Sequence, residues 1–387
     1  MESDSLQPRR SGWIRDTVLI LGVNLVITAS VNLQMPLYRH YAEAAGMGTS
    51  LTGLVFCAYV AGLLPTLIFL AGLSDRWGRK AVLLSALACA FLASAVMAWR
   101  PTLGHLFLAR LAQGLAVGLG VGTATTYLTE RLQGIKPSSF VAAGISITSS
   151  LGFGLGALFT GTLILFHPTE TPISYPVLAA LAVVFWLGLM RVPDSGKRPA
   201  PLISFPLVAR RFWPEFLSIA MAWAATGVVI AILPTELHHH GLGGFAGHAL
   251  FLVNLSGALW APVARRQKPA TNLWLGYLLL PTGMAGMLLS ASHGFLVGLG
   301  LSAVMAGSAC YGFLFYGGLS RVNEVPDGER ARSVAGFFLL AYVGFGLPSL
   351  LLGLVSDRVG VFPALTGFCV LLGLGCAWLA LRLKFVK

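Results

Sequence analysis

Long apolar runs, interrupted at short intervals by charged or Gly- and Pro-containing turns, are the first pattern the chain presents. A window of about 19 residues, scored for stretches of about 20 mainly apolar positions, predicts twelve spans. They cover residues 17–37, 51–73, 81–98, 103–127, 139–166, 174–192, 213–236, 245–263, 271–290, 294–318, 333–355 and 362–383. Runs such as Leu51 to Leu73 show none of the apolar/polar alternation of a membrane β-strand, so each span is expected to be helical. Nearly every connection is short. The exception, 193–212, carries Pro193, Pro199, Pro201 and Pro206 with Lys197, Arg198, Arg210 and Arg211, the composition of a linker. The expected organisation is a six-helix bundle at 1–192, a cytoplasmic linker at 193–212 and a second six-helix bundle at 213–387.

Composition supports this reading and removes the soluble alternatives. Of 387 residues, 56% are hydrophobic and only 10% charged, too few charges to cover a globular surface in water. The net charge of +12 would suggest a nucleic-acid partner, but the cations are not clustered as a binding face. Alternate segments, starting with the N-terminus, carry 3, 3, 2, 5, 3, 3 and 3 of the 26 Lys and Arg. The opposite loops hold only Arg39, Arg100 and Arg358, and Arg110 lies within a span. Such alternation is the positive-inside signal of a multi-pass plasma (inner) membrane protein with both termini cytoplasmic and no nucleic-acid partner. Residues 1–16 are polar and basic and the run after them lacks a small-residue cleavage site, so that run is expected to be the first span, not a signal peptide. Cys57, Cys89, Cys310, Cys369 and Cys376 fall in apolar runs without metal-ligand spacing and are expected to pack as small hydrophobes.

The two halves repeat. At an offset of 192, Gly144, Gly152, Phe153, Gly154, Leu155 and Gly161 meet Gly336, Gly344, Phe345, Gly346, Leu347 and Gly353; at an offset of 198, Thr28, Pro36 and His40 meet Thr226, Pro234 and His238. Parallel six-span repeats are the architecture in which a central site is exposed alternately to the two sides of a membrane. Gly152, Gly156, Gly344 and Gly346 are the expected close-packing positions of spans five and eleven.

Three motifs carry a family resemblance. Gly72-Leu73-Ser74-Asp75-Arg76-Trp77-Gly78-Arg79-Lys80 fills the loop between spans two and three, where glycines permit a tight turn and one acid among three cations can grip helix ends. It resembles the signature loop of the major facilitator superfamily, departing at Ser74. Arg110-Leu111-Ala112-Gln113-Gly114 in span four resembles that family's R-x-x-Q-G motif. Gly152 to Gly161 is similar to its glycine-rich antiporter motif, with Gly156-Ala157 where Gly-Pro is usual. The resemblance, to twelve-span bacterial drug:proton antiporters in particular, implies an all-α integral membrane protein with twelve transmembrane helices in two pseudo-symmetric six-helix bundles. It further implies that Gly72, Asp75, Arg76, Gly78, Arg79, Lys80 and Glu130 form a conformational clamp joining the two halves in the outward-open state. The second half keeps only the cations, at Arg265, Arg266 and Lys268, so the clamp is expected to be asymmetric.

An intramembrane charge costs about 2.5–3.5 kcal/mol on insertion scales, which makes Arg110 a functional candidate, with Gln113, unless it snorkels to an interface. Asn24, Thr28, Asn32, Tyr59, Trp223, Thr226, Asn254 and Tyr311 are the cavity candidates, with helix-packing hydrogen bonds as their alternative role. Phe313 and Tyr316 read as packing or interface aromatics. No acid falls deep within a predicted span, so proton coupling would draw on Glu236 with His238 and its neighbours, or on Glu43 with His40. No metal site and no cofactor is expected, and the absence of HExxH, GxSxG and P-loop motifs argues against an enzyme. The leading expectation is a monomeric secondary transporter in the lipid bilayer that exports amphipathic small molecules, drug-like compounds or a secreted metabolite such as a siderophore, by proton antiport. An uptake permease or facilitator for a small polar solute, and a transport-dead membrane scaffold, are the alternatives.

Overall fold

A computed structural model describes residues 12–384 apart from 71, 195, 198, 200–205 and 325–326. Arg9, Arg10, Arg198 and Lys387, four of the cations used above for orientation, lie outside the described residues. The first half holds α1 (Trp13–Ala44), α2 (Thr49–Phe69), α3 (Arg79–Trp99), α4 (Leu103–Arg131), α5 (Ser138–Phe166) and α6 (Ser174–Met190). The second holds α7 (Arg210–Ala231), α8 (Gly243–Arg266), α9 (Pro269–Ser292), α10 (Leu296–Val322), α11 (Arg332–Val359) and α12 (Val361–Leu383). Eleven are long and apolar enough to cross a membrane. The sixth, predicted over 174–192, is a shorter apolar helix of 17 residues. In hydrocarbon a backbone must satisfy its own N–H and C=O groups, and continuous helices do so without edges. Twelve crossings bring both ends of the described chain to one side, here termed the terminal face.

Local chemistry sets the breaks. The predicted span 51–73 is not a single helix: α2 stops at Phe69, and Leu73–Trp77 forms a short separate helix. Gly78, at φ +96°, reverses the chain into α3, a backbone setting that side chains resist. Thr102 caps α4 by accepting from the His105 N–H at 3.3 Å. The predicted spans 17–37 and 213–236 are each broken. In α1 a 3-10 turn at Met35–Leu37 contains Pro36, and after α7 a new helix, Leu233–His239, opens with Pro234. The aligned prolines therefore mark the same kink in each half, because proline cannot supply the backbone donor a continuous helix needs.

Within each half the first helix packs on the fifth, and the halves meet where α2 lies on α11 and α5 on α8. The repeated glycines divide by register. A Cβ on Gly152 would fall 2.8 Å from the Leu25 carbonyl oxygen of α1, and one on Gly344 2.7 Å from Ala220 Cα of α7. Two residues on, Gly154 and Gly346 face across the interface, against Phe251 of α8 and Val60 of α2. Gly156 packs on Ala29 of α1. The four expected packing glycines therefore comprise three that tighten a half and one, Gly346, that joins the two.

Two buried ion pairs repeat as well. Asp16, 1% exposed, accepts from Arg131 Nη2 at 2.5 Å and ties the start of α1 to the end of α4. Glu215, 3% exposed, accepts from Arg321 Nε at 2.8 Å and ties the start of α7 to the end of α10. Both acids lie in the first turns of their helices, not deep within a span, and pairing permits their burial there; α4 likewise runs beyond its apolar window, to Arg131. Glu130, placed after the fourth span by sequence, lies inside the last turn of α4 for the same reason.

Candidate functional site

A cavity of about 500 Å³ lies between the halves, lined from α1, α2, α4, α5, α7, α8, α10 and α11. Its inner wall contains Tyr59, Trp223, Tyr311, Tyr342 and Phe345, and it extends to Thr125, Arg265, Tyr316 and Phe338 at the terminal-face ends of their helices. The aromatic rings form one connected group: Trp223 meets Tyr342 edge-on at 4.8 Å, and Phe345 at 5.7 Å between centroids. Tyr311 stands in a π-helical stretch, Ser308–Leu314, inside α10, a distortion frequent at functional positions.

Of the residues singled out from sequence, Asn32, Tyr59, Trp223, Asn254 and Tyr311 line this cavity. Asn24 and Thr28 do not. Asn24 Nδ2 donates to Thr148 Oγ1 and Ser149 Oγ, both at 2.9 Å, and the Thr28 hydroxyl donates to the Asn24 carbonyl at 2.8 Å. They join α1 to α5, so only the last member of the Asn24/Thr28/Asn32 stripe reaches the space between the halves. Thr226 is buried and donates to the Ala222 carbonyl at 3.3 Å. Tyr316, expected as an anchor, lines the mouth instead and accepts from Arg265 Nη2 at 2.9 Å. Sequence reasoning missed Phe338, Tyr342 and Phe345 of α11 and Ser146, Ser149, Ser150 and Phe153 of α5. Their spacing of three and four places each set on one helical face, a signal masked by the apolar background.

Arg110 is wholly buried. Its Nη1 donates to the Val31 carbonyl, and to Gln113 Oε1 at 2.8 Å. Gln113 Nε2 in turn donates to the Ser30 carbonyl at 2.7 Å and to Gln34 Oε1 at 2.9 Å. The guanidinium lies 5.7, 5.6 and 4.8 Å from the ring centres of Tyr38, Phe56 and Tyr59. Snorkelling is thereby excluded. Its Nε and Nη2 have no hydrogen-bond partner, and no carboxylate pairs with it among the described residues. Arg110 and Gln113 sit behind the cavity wall, since Val31 and Tyr59 line the cavity while they do not.

Away from the terminal face the halves are sealed. Gly53 of α2 sits so close to α11 that a Cβ would lie 2.8 Å from both Leu350 Cα and the Ser349 carbonyl oxygen. Thr52 donates to the Ala231 carbonyl at 2.8 Å, and Arg39 Nη1 to the Thr235 carbonyl at 3.2 Å. Asp357, from the last turn of α11, accepts from the backbone N–H of Thr49 at 2.6 Å and of Ser50 at 3.1 Å. One half's carboxylate thus satisfies the free amides at the start of the other half's helix. Removing an exposed helix cap costs about 0.5–1 kcal/mol, so Asp357→Ala is expected to move the equilibrium roughly two- to fivefold towards opening on this face. Spin labels at Met47 and Val359 would report it as a longer distance; an unchanged distance distribution would show the cap to be incidental.

The loop after α2 is knit into the first half. Arg79 Nη2 donates to Asp75 Oδ1 at 2.5 Å and to Glu130 Oε1 at 3.2 Å, and its Nη1 to Ser74 Oγ at 2.6 Å. The Lys80 N–H donates to Asp194 Oδ1 at 3.2 Å, beside the turn that Gly72 and Gly78 bound with Arg76 between them. Asp75, Arg79 and Glu130 do come together, and their bonds to one another stay within the first half in this conformation. Of the coupling groups expected from sequence, Glu236 meets one of its three neighbouring histidines and Glu43 does not meet His40. Glu236 is buried, but His240 Nδ1 is its neighbour at 3.5 Å, not His238, which is exposed. On a helix, positions i and i+4 share a face whereas i and i+2 point apart. Glu43 pairs with Arg39 at 2.6 Å, leaving His40 to Glu170 at 3.1 Å. His239, outside the spans, is held below its ordinary range by partial burial and then by Arg39.

The chain belongs to the Major Facilitator Superfamily, whose family description matches residues 20–347. It is 26% identical over 212 residues to the tetracycline resistance protein, class C, of Escherichia coli, covering 53% of this chain and 52% of that one. Over 180 residues it is 24% identical to the multidrug resistance protein MdtM of Escherichia coli O157:H7, covering 46% and 42%. The matches thus span about half the length of these relatives. Among solved structures, the nucleoside transporter NupG superposes with a TM-score of 0.71 at 16% identity, covering 97% of this chain and all of that one. At such identity the likeness speaks to the fold.

Proposed function

We propose that this protein is a secondary transporter that exports amphipathic small organic molecules by alternating access, exchanging them for protons. The observation that carries the reading is the aromatic cavity between two pseudo-symmetric halves, reaching one face and sealed from the other. The terminal face is the cytoplasmic one in this reading, from the distribution of Lys and Arg, so the conformation is inward-open and residues 193–212 form the cytoplasmic linker between domains 1–192 and 213–387. Rocking of the halves about the α2–α11 and α5–α8 contacts would expose the same walls to the outside. Export is favoured by the two Escherichia coli resistance proteins among its relatives and by the aromatic side chains that make up nine of the 24 residues lining the cavity.

Arg110 is assigned to coupling. A buried cation without a carboxylate partner is unstable unless another charge or proton acts with it, and Gln113 orients it. Glu236 remains a candidate proton site at the far end, with His240 as the nearest of its three neighbouring histidines. The test is uptake of amphipathic compounds into proteoliposomes with and without an imposed pH gradient. Accumulation that collapses with the gradient supports antiport, and equilibration indifferent to it would replace antiport by facilitated diffusion.

The clamp role predicts a separate result. In the outward-open state the Asp75 carboxylate is to leave its intra-half setting and meet the second half, so Asp75→Asn should express normally yet transport about tenfold more slowly, about 1.4 kcal/mol. Transport at wild-type rate in the same vesicles would remove that role.

A further inference from the structure

We propose that the cavity selects substrates bearing one negative charge on an aromatic or similarly flat apolar body, and disfavours cations; this rests on the cavity being the transport site. Among the described residues its lining contains one cation, Arg265, and no carboxylate. A second cation, Arg110, stands immediately behind the wall, its guanidinium 4.8 Å from the centre of the Tyr59 ring, with two buried nitrogens unpartnered. No acid neutralises it among the described residues, so its field reaches the cavity through apolar side chains, a medium that screens charge far less than water. The sign of the space is therefore positive.

The hydrogen-bonding groups left free on the wall fit the same ligand. Trp223 lines the cavity and its Nε1–H is buried without an acceptor beneath the rings of Tyr342 and Phe345, so a ligand that shifts these rings gains a donor for an anionic or carbonyl oxygen. Asn32 has spent its Nδ2 on the Phe153 carbonyl at 2.9 Å and its buried Oδ1 is unpartnered, an acceptor that the same shift would free for a hydroxyl or N–H. The rings supply flat apolar walls. At the mouth, Arg265 is held 5.0 Å over Tyr316, where a cation raises the local concentration of anions. Cationic aromatics could stack on the same rings, but they would do so against both arginines with no carboxylate to pair.

The test uses three probes of nearly equal shape, naphthalene-2-carboxylate, naphthalene-2-carboxamide and 2-naphthylmethylammonium, titrated calorimetrically into the full chain in lipid nanodiscs at neutral pH. The expected order is carboxylate, amide, ammonium, with about a tenfold step between carboxylate and amide, about 1.4 kcal/mol. Arg110→Gln should erase that step, read as the ratio of carboxylate to amide affinity within the one variant, and Arg110→Lys, which keeps the charge, should preserve it. Arg265→Gln provides a variant at the mouth whose folding does not depend on a buried network, and it should halve the step or more. Equal or tighter binding of the ammonium probe overturns the anion preference while leaving the cavity as a binding site. Binding of none of the three, with Trp223→Ala equally silent, overturns the preference and the transport-site reading together.

Discussion

Arg110→Ala is expected to lower transport by about 100-fold or more at unchanged protein level, a loss of about 2.7 kcal/mol. The guanidinium donates to the Val31 carbonyl and to Gln113, and Gln113 is thereby aimed at Ser30 and Gln34. Hydrogen bonds to charged groups contribute roughly 1.5–3 kcal/mol each, so losing two disturbs the kink of α1 as well as the charge. Arg110→Lys separates these effects. A lysine keeps the cation but cannot reproduce the fork that serves Val31 and Gln113 together, so it should retain the response to a pH gradient with transport reduced about tenfold, again about 1.4 kcal/mol. Rates equal to wild type in both variants, measured per molecule in proteoliposomes, would show that the buried charge has no part in transport.

The fold was legible because a bilayer imposes few solutions. Apolar run length located the helices, and the lysines and arginines at their ends alternated as a twelve-span path requires. What the runs hid were helix ends. Asp16, Glu130, Arg131 and Arg321 look like loop charges to a hydropathy window, yet in space they lie at helix ends and pair with charges of neighbouring elements, Arg321 with Glu215. The cavity was half legible. Asn32, Tyr59, Trp223, Asn254 and Tyr311 stood out because they are polar or aromatic at mid-span, whereas Asn24, Thr28 and Thr226, equally conspicuous, spend their polar groups holding helices. No one-dimensional pattern tells a polar group facing a neighbouring helix from one facing an opening. Asp357 was invisible for a related reason: its partners are backbone amides some 300 positions earlier, and backbone carries no sequence signal.

Gly53 offers the most direct control of the transport cycle. In the sealed arrangement a Cβ at this position would lie 2.8 Å from Leu350 Cα and from the Ser349 carbonyl oxygen, both backbone, so no rotamer change can relieve the contact. Even modest overpacking costs about 1–3 kcal/mol, and an indole at the seam requires α2 and α11 to part. The halves relieve that strain by opening on this face. Gly53→Trp is therefore expected to trap the protein outward-open, with net transport falling at least about 50-fold, about 2.3 kcal/mol, and with a cysteine at Thr52 becoming reactive to a membrane-impermeant thiol reagent. Binding from the opened face should survive, which distinguishes a trapped transporter from an unfolded one. Gly104→Trp serves as the comparison, because a Cβ there meets nothing within 4 Å and transport should be unaffected. If Gly53→Trp instead transports normally, the α2–α11 seam does not open during the cycle, and the rocking of halves about that contact has to be abandoned.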